Sequence, residues 1–406
     1  MKILLYGLNY APEPTGIGKY TGEMAAFLAA RGHQVRAVTA PPYYPHWRVT
    51  AGYSAWAYRR EECQGVRVYR CPLWVPAHPS GLTRLLHLSS FALSSLPVIL
   101  GQAFWRPDLL LCIAPAIASA PAGWLAARLG GSRAWLHIQD FELDAALRLG
   151  MLPALLRPLE RLLLAAERIL LKRFERISTI SQRMLEHLWQ KGIPPERTAS
   201  LPNWVDTSLI TPLPGPSPLR SAWGIPENQT VVLYSGNFGH KQGLETLVQA
   251  ARLLQDEPGI LFLLCGEGAA RPLIEQHAQG LSNLRIQPLQ PAEHLNDLLN
   301  LADIHALPQR GDTADLVMPS KLGGMLASGR PVIAAAAPGS ELAGVVGPLG
   351  VIVPPEDPAA LAEAIRSLRQ QPDVRLALGQ RGRQFVLEHW DNQIVLSKFC
   401  QEIEAL

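Results

Sequence analysis

Apolar residues alternate between two patterns along this chain. Residues 2–8, KILLYGL, form a short apolar run that reads as a buried strand. Over residues 16–31 the spacing changes: Ile17, Tyr20, Met24, Phe27 and Leu28 recur at helical intervals, and Gly32-His33 ends the pattern. A second run, QVRAVTA, begins at Gln34. Strand, glycine-bearing loop, helix and strand make a βαβ unit, and a chain that opens this way builds a parallel, doubly wound sheet.

The same order returns with VVLYSG at residues 231–236, a glycine-containing loop to Gly243, a helix over Leu244–Leu254 and the strand ILFLLCG at 260–266. Between the two starts lies LPNWVDTSLITPLPGPSP, Leu201–Pro218, whose prolines suit a linker. The predicted class is α/β, with two Rossmann-like domains of doubly wound parallel sheet facing each other across a cleft. The expected bounds are residues 1–203 and 204–385, with a C-terminal helix at 386–406 packing back toward the first domain.

Composition narrows this picture. The 406 residues are 48% apolar, which excludes disorder, and only 17% are charged. Mean hydropathy is +0.07, yet no uninterrupted run of about 20 apolar residues occurs, which argues against a polytopic membrane protein. Charge is divided unevenly: residues 1–200 hold 23 Lys+Arg against 13 Asp+Glu, whereas residues 201–406 hold 14 against 21. The basic half has no zinc-finger, RRM-like or Lys-rich tail pattern, so an anionic lipid or small molecule is a better partner for it than nucleic acid.

Two oily stretches, 82–105 and 146–176, mix aliphatic runs with basic residues in that half. Each reads either as a surface inserting into a headgroup layer or as a helix packing one face in the core with its arginines solvated. The five cysteines are far apart and form no C-x-x-C pair, which argues against a disulfide framework and a structural zinc site. The apolar run at the N-terminus is too short for a secretory leader. The expected location is cytoplasmic, peripheral at the inner face of the membrane.

Four segments carry candidate chemistry. In Asn9–Lys19, NYAPEPTGIGK, Gly16 and Gly18 fall where the first helix begins; they serve either an anion site at a helix N-terminus or a turn that needs positive φ. Tyr10 and Lys19, which flank that loop, are candidate acceptor contacts. The glycines do not space as G-x-G-x-x-G, and the second strand ends without the acidic residue of a dinucleotide site, which removes most weight from an NAD-dependent enzyme. No G-x-x-x-x-G-K-[ST] motif occurs either.

In the acidic half, Gly236-Asn237-Phe238-Gly239-His240-Lys241-Gln242-Gly243 repeats the strand, glycine and helix order and adds a cation. Lys241 either neutralises a diphosphate leaving group or is an ordinary surface lysine. Met318-Pro319-Ser320-Lys321 reads as a helix start with Asp315 upstream; Ser320 serves as an N-cap or a ligand, and Lys321 points toward a phosphate in the sharper reading. In Leu136-His137-Ile138-Gln139-Asp140, His137 and Asp140 lie at the carboxyl end of an apolar strand, where ligands of open α/β sheets bind.

These segments resemble the retaining glycosyltransferases of the GT-B fold, family 4, and within them the colanic acid biosynthesis glycosyltransferases of bacterial exopolysaccharide clusters. The likeness runs through PEPTGIGKYTGEMAAFLAARGHQV, LHIQDFELDAALRLG, LPNWVD, SGNFGHKQGLETLVQAA and PSKLGGMLASGRPVIA. It implies transfer of a sugar from a nucleotide-diphosphate donor with retention at the anomeric carbon. It also implies that Gly16 and Gly18 approach the donor, that His137 contacts the transferring sugar, and that the second domain clamps the diphosphate.

The chain departs from the family pattern at that clamp. Asn237 stands where an Arg is usual, an ungapped reading puts Gln242 at the Lys position, and Leu316 and Gly324 stand where two glutamates are common. Lys321 is expected to take over part of the clamp, and Asp315 is the expected substitute at the ribose. No D-x-D motif occurs, so a metal is not required and no cofactor is expected. The resemblance leans toward a GDP-sugar such as GDP-fucose as donor, with a UDP-sugar as the other candidate, and toward a polyprenyl-diphosphate-linked glycan as acceptor. A GT-B-fold sugar-nucleotide epimerase and a non-catalytic sugar-binding protein are the alternatives.

Overall fold

Strand β1 (Lys2–Gly7) is buried from Ile3 onward: it pairs with a strand on each side, and a central parallel strand has both faces covered, Tyr6 lying 5.8 Å from Phe91 between ring centres. The computed structural model describes residues 1–77, 81–114, 117–141, 143–144, 160–239, 242–311 and 318–406. They divide into two units, Met1–Pro202 with Leu396–Leu406, and Asn203–Val395.

The first unit contains helix α1 (Gly16–Ala30), β2 (Gln34–Thr39), β3 (Arg59–Cys63), β4 (Val66–Arg70), helix α2 (Gly81–Gln102), β5 (Leu109–Ala114), helix α3 (Ala120–Gly130), β6 (Arg133–Ile138), β7 (Arg176–Thr179) and β8 (Thr198–Ser200). Its eight strands run in the order β3-β4-β2-β1-β5-β6-β7-β8. All neighbours are parallel except β3, which pairs antiparallel with β4 at one edge. The reversal of strand order between β1 and β5 is where open α/β sheets place their ligands. The chain's end joins this unit: Phe399 stacks edge-on against Trp135 at 5.3 Å, and Arg31 donates to Ser397 at 2.9 Å.

Helix α2 buries Phe91 and Ile99 in the core, and its Ser95 hydroxyl lies 2.7 Å from the Tyr6 hydroxyl. Its other face exposes Leu82, Leu85, Leu86, Leu93 and Leu96, and Phe104 just beyond it is 92% exposed. The span Gly81–Trp105 is the one helix among the described residues long and apolar enough to cross a membrane, by length and composition. Arg84, His87 and four serines interrupt the apolar run, which is why a search for unbroken apolar sequence does not register it.

In the second unit β9 (Thr230–Ser235), β10 (Ile260–Cys265), β11 (Leu284–Gln287), β12 (Ile304–Leu307), β13 (Val332–Ala335) and β14 (Val351–Val353) form an all-parallel sheet in the order β11-β10-β9-β12-β13-β14. Here too the order reverses, at β9 and β12. β10 is buried at every residue, as a central strand covered on both faces must be. Within Leu201–Pro218, Val205 bridges Asp391 and Arg383 donates to the carbonyls of Thr207 and Ile210, so the proline-rich segment is tied to the second unit.

Candidate active site

Strands β9 and β10 end side by side in the second unit, and glycine is the only residue their ends tolerate. A Cβ on Gly266 would lie 1.8 Å from the Gly236 carbonyl oxygen, and one on Gly268 would lie 2.5 Å from Asn237 Oδ1. Gly236 itself has φ +143, which disfavours any side chain. Beneath it sits Lys321, the first residue of the helix Lys321–Ala327.

The Lys321 Nζ donates to the Tyr234 hydroxyl at 2.7 Å and to Gln242 Oε1 at 3.4 Å, and lies 4.1 Å from the centroid of the Tyr234 ring. The Tyr234 hydroxyl in turn donates to the Asn237 carbonyl at 2.7 Å. Desolvation pulls the Lys321 ammonium down to a pKa of about 7. Tyr234, Asn237 and Gln242, from one short stretch, and Lys321, 87 positions beyond Tyr234, thus converge on the end of β9. Ser320 makes no side-chain capping bond and has helical backbone angles, so the capping role is not realised. Lys241 and Asp315 lie outside the described residues.

In the first unit, residues 9–18 fold around a buried acid. Glu13 is 4% exposed; its Oε2 accepts from Asn9 Nδ2 at 2.9 Å, and its Oε1 accepts from the Tyr43 and Tyr44 amides at 3.2 and 3.1 Å. Burial raises its pKa, against the lowering effect of these donors. The loop's glycines have reasons within the fold: Gly16 has φ +66, and a Cβ on Gly18 would lie 2.2 Å from Glu13 Oε2. Lys19 pairs with Glu23 at 3.0 Å on the surface of α1.

Tyr10 is 3% exposed and lies under the Arg70 guanidinium, 5.4 Å from ring centroid to Cζ. It belongs to the loop's interior, which corrects the expectation that it meets an acceptor. Sequence reasoning missed Glu13, whose only signal is a carboxylate in a Gly/Pro-rich turn.

His137 also needs correction. It is the penultimate residue of β6, at the strand's carboxyl end as expected, but its ring is 0% exposed. Its Nδ1 sits 2.9 Å from Ser178 Oγ, which also accepts from Trp135 Nε1 at 2.9 Å. Burial lowers its pKa to about 3, so the ring is neutral. A ring with no exposed atom cannot touch a sugar. The groups at the strand's carboxyl end are Gln139, buried, and Asp140, half-buried.

Just past them Asp144 accepts from Lys191 at 2.7 Å and lies 3.2 Å from His187 Nε2, while Lys191 also bonds Glu167. Lys191 and Glu167 are buried and Asp144 is half-buried, and no local motif announces this cluster.

The amino-terminal part, residues 15–204, matches the family described as glycosyl transferase 4-like domain, and residues 229–371 match glycosyl transferases group 1. The chain is 41% identical, over the whole length of both, to the putative colanic acid biosynthesis glycosyl transferase WcaI of Escherichia coli K12. It is 26% identical over 57% of its length to the probable glycosyltransferase WbjE of Pseudomonas aeruginosa, of which it covers 58%.

Among solved structures, the sucrose-phosphate synthase of Thermosynechococcus elongatus superposes with a TM-score of 0.76 at 19% identity, covering 100% of this chain and 98% of that one. Anabaena HepE with UDP-glucose gives 0.71 at 17% identity, covering 100% of both. Those structures share the fold, two parallel-sheet α/β units of the GT-B type. With its match to both halves of the family and its full-length likeness to a glycosyl transferase, the chain belongs to the group 1 glycosyltransferases and is a glycosyltransferase.

Proposed function

We propose that this enzyme transfers a glycosyl group from a nucleoside-diphosphate sugar to a lipid-linked oligosaccharide in the assembly of a colanic-acid-type exopolysaccharide, with retention at the anomeric carbon. The full-length likeness to WcaI supports the pathway class. The observation that carries the chemistry is the convergence of Lys321 with Gly236 and Gln242 at the end of β9. A lysine from a different helix reaches the place where the family pattern leads one to expect a local Arg and Lys.

In the reaction the bond between the anomeric carbon and the donor phosphate oxygen breaks, and a bond to the acceptor hydroxyl oxygen forms on the same face. Negative charge collects on the departing diphosphate, and a cation already placed there stabilises it without reorganising. Lys321 supplies that cation, held by Tyr234 and Gln242, while the acceptor proton passes to the leaving phosphate. Lys241 and Asp315 remain candidates for the outer diphosphate and the ribose. Since basic groups do this work, activity is expected to survive EDTA.

The acceptor belongs with the first unit, near Asp140 and Lys19. The exposed leucines of α2 and the surplus of basic residues in that half support docking to an anionic membrane surface, which would bring a polyprenyl-diphosphate acceptor to the enzyme. A GDP-sugar is the favoured donor. HepE was solved with UDP-glucose, so UDP is the competitor to test. A thermal-shift screen of GDP, UDP, dTDP and ADP decides this, because a ligand at 100 times its Kd adds about 2.7 kcal/mol of stability. Stabilisation by none of the four would overturn the reading.

A further inference from the structure

A second cluster of reactive side chains lies in the first unit, and glycosyl transfer makes no use of it. His33 sits in the short connection between α1 and β2, and Cys400 and Glu404 lie one turn apart on the helix Asn392–Glu404. The His33 Nε2 is 3.4 Å from Cys400 Sγ and 3.2 Å from Glu404 Oε1, and the sulfur and that oxygen are 3.5 Å apart. Cys400 is buried, His33 half-buried and Glu404 exposed, so the triangle opens to solvent on its carboxylate side. Nδ1 of the same ring is occupied elsewhere, 3.2 Å from the Met1 nitrogen.

We propose that His33, Cys400 and Glu404 form a zinc site that fastens the C-terminal helix to the α1–β2 connection. Two arguments support it. With Zn–N and Zn–O bonds of about 2.0 Å and a Zn–S bond of about 2.3 Å, tetrahedral ligands stand about 3.3 to 3.6 Å from one another. The three distances observed match those edges.

Protons bridge only two sides of the same triangle. The imidazole and the thiol bring at most one inward hydrogen each, and the carboxylate brings none. Whether the imidazole hydrogen points to the sulfur or to Glu404, one of the three close contacts is left without a hydrogen between its atoms. A divalent cation satisfies all three at once. The thiol releases its proton to solvent, and one thiolate, one carboxylate and a neutral imidazole balance the two charges of the ion, with water in the fourth position.

The proposal goes beyond glycosyl transfer and stands or falls without it. Sequence spacing could not reveal the site, since the ligands come from opposite ends of the chain, 367 positions apart.

Metal-free, full-length protein titrated with Co²⁺ should develop a thiolate-to-metal charge-transfer band in the near ultraviolet that Zn²⁺ abolishes, and Zn²⁺ should raise the Tm. The band should vanish in Cys400→Ser and persist in Cys63→Ser, which removes an exposed cysteine outside the cluster. Glu404→Gln, a change at an exposed position, should keep the fold and weaken Zn²⁺ binding at least about tenfold. Absence of the band in the parent protein, an equal band in Cys400→Ser, or unchanged Zn²⁺ affinity in Glu404→Gln would each show a hydrogen-bonded cluster only and overturn the proposal.

Discussion

The Lys321 ammonium and the Tyr234 hydroxyl are 2.7 Å apart, and the same ammonium lies 4.1 Å from the centre of the Tyr234 ring. The tyrosine therefore holds the lysine with a hydrogen bond and with its π-face, and passes a hydrogen bond on to the Asn237 carbonyl. Neither partner carries a negative charge. A cation kept in such neutral company attracts an anion more strongly than one already paired with a carboxylate. Lys321→Met, which retains the apolar stem, should lower kcat/KM at least about a hundredfold, the scale of losing a charge-stabilising group. Steady-state kinetics with a fixed acceptor checks this.

A pH dependence follows from the depressed Lys321 pKa, about 7 in the folded protein against an ordinary value of 10.5. Between those values the unfolded chain holds a proton that the folded chain lacks, so this group makes the free protein more stable as pH rises through that window. The proposed diphosphate contact requires the protonated form. Donor affinity should therefore fall as pH rises above about 7, and binding at pH 8 should take up about one proton. Calorimetry of a nucleotide sugar in buffers of different ionisation heat measures the uptake, which Lys321→Met should abolish.

The loop at Glu13 offers a steric test. A Cβ at residue 18 would stand 2.2 Å from Glu13 Oε2, so Gly18→Ala should destabilise the protein by about 1–3 kcal/mol, the usual range for overpacking. Glu13→Ala alone frees the Asn9, Tyr43 and Tyr44 donors and should also destabilise. The two changes together should cost less than their sum, because the second removes Oε2 and Cδ, two of the three atoms that the first strikes, while the Cβ at 2.7 Å remains. Urea unfolding of the four variants completes the cycle.

Much of the fold was legible because buried parallel strands leave an apolar signature that does not depend on distant partners. KILLYGL and ILFLLCG became β1 and β10 within a residue of their predicted ends. The helix predicted over 16–31 spans Gly16–Ala30. The site was legible only in part.

Lys321 stood out through its helix-start context, but Tyr234 reads in sequence as one more apolar residue of a strand. The hydroxyl that makes it a partner matters only once the sheet brings residue 321 to the end of β9. His137 misled for the opposite reason: its position at the end of an apolar strand suggests a ligand contact, whereas its ring lies in the core with a hydrogen bond to Ser178, a residue on the neighbouring strand.

The cluster around Lys191 predicts a stability effect. Lys191→Met would leave the buried Glu167 without its cation and the half-buried Asp144 with His187 alone; stripping a buried charge of its partner typically costs about 3–5 kcal/mol. Thermal melting should show the loss, and acidification, which protonates both carboxyls, should reduce it.

The exposed face of α2 predicts a separable membrane effect. Leu86 and Leu93 lie on the solvent side, Leu93 at 71% exposure. Leu86→Asp with Leu93→Asp should leave the Tm nearly unchanged and sharply reduce co-sedimentation with anionic vesicles at low salt. Equal co-sedimentation of parent and double variant would remove α2 from the docking surface.

The claim that a diphosphate settles on the Lys321 cluster is tested most directly by calorimetric titration of GDP into the parent protein and into Lys321→Met at pH 6.5, where the parent lysine is charged. The account predicts tight binding to the parent and at least about a tenfold rise in Kd for the variant, about 1.4 kcal/mol. Equal affinity in the two proteins would contradict it.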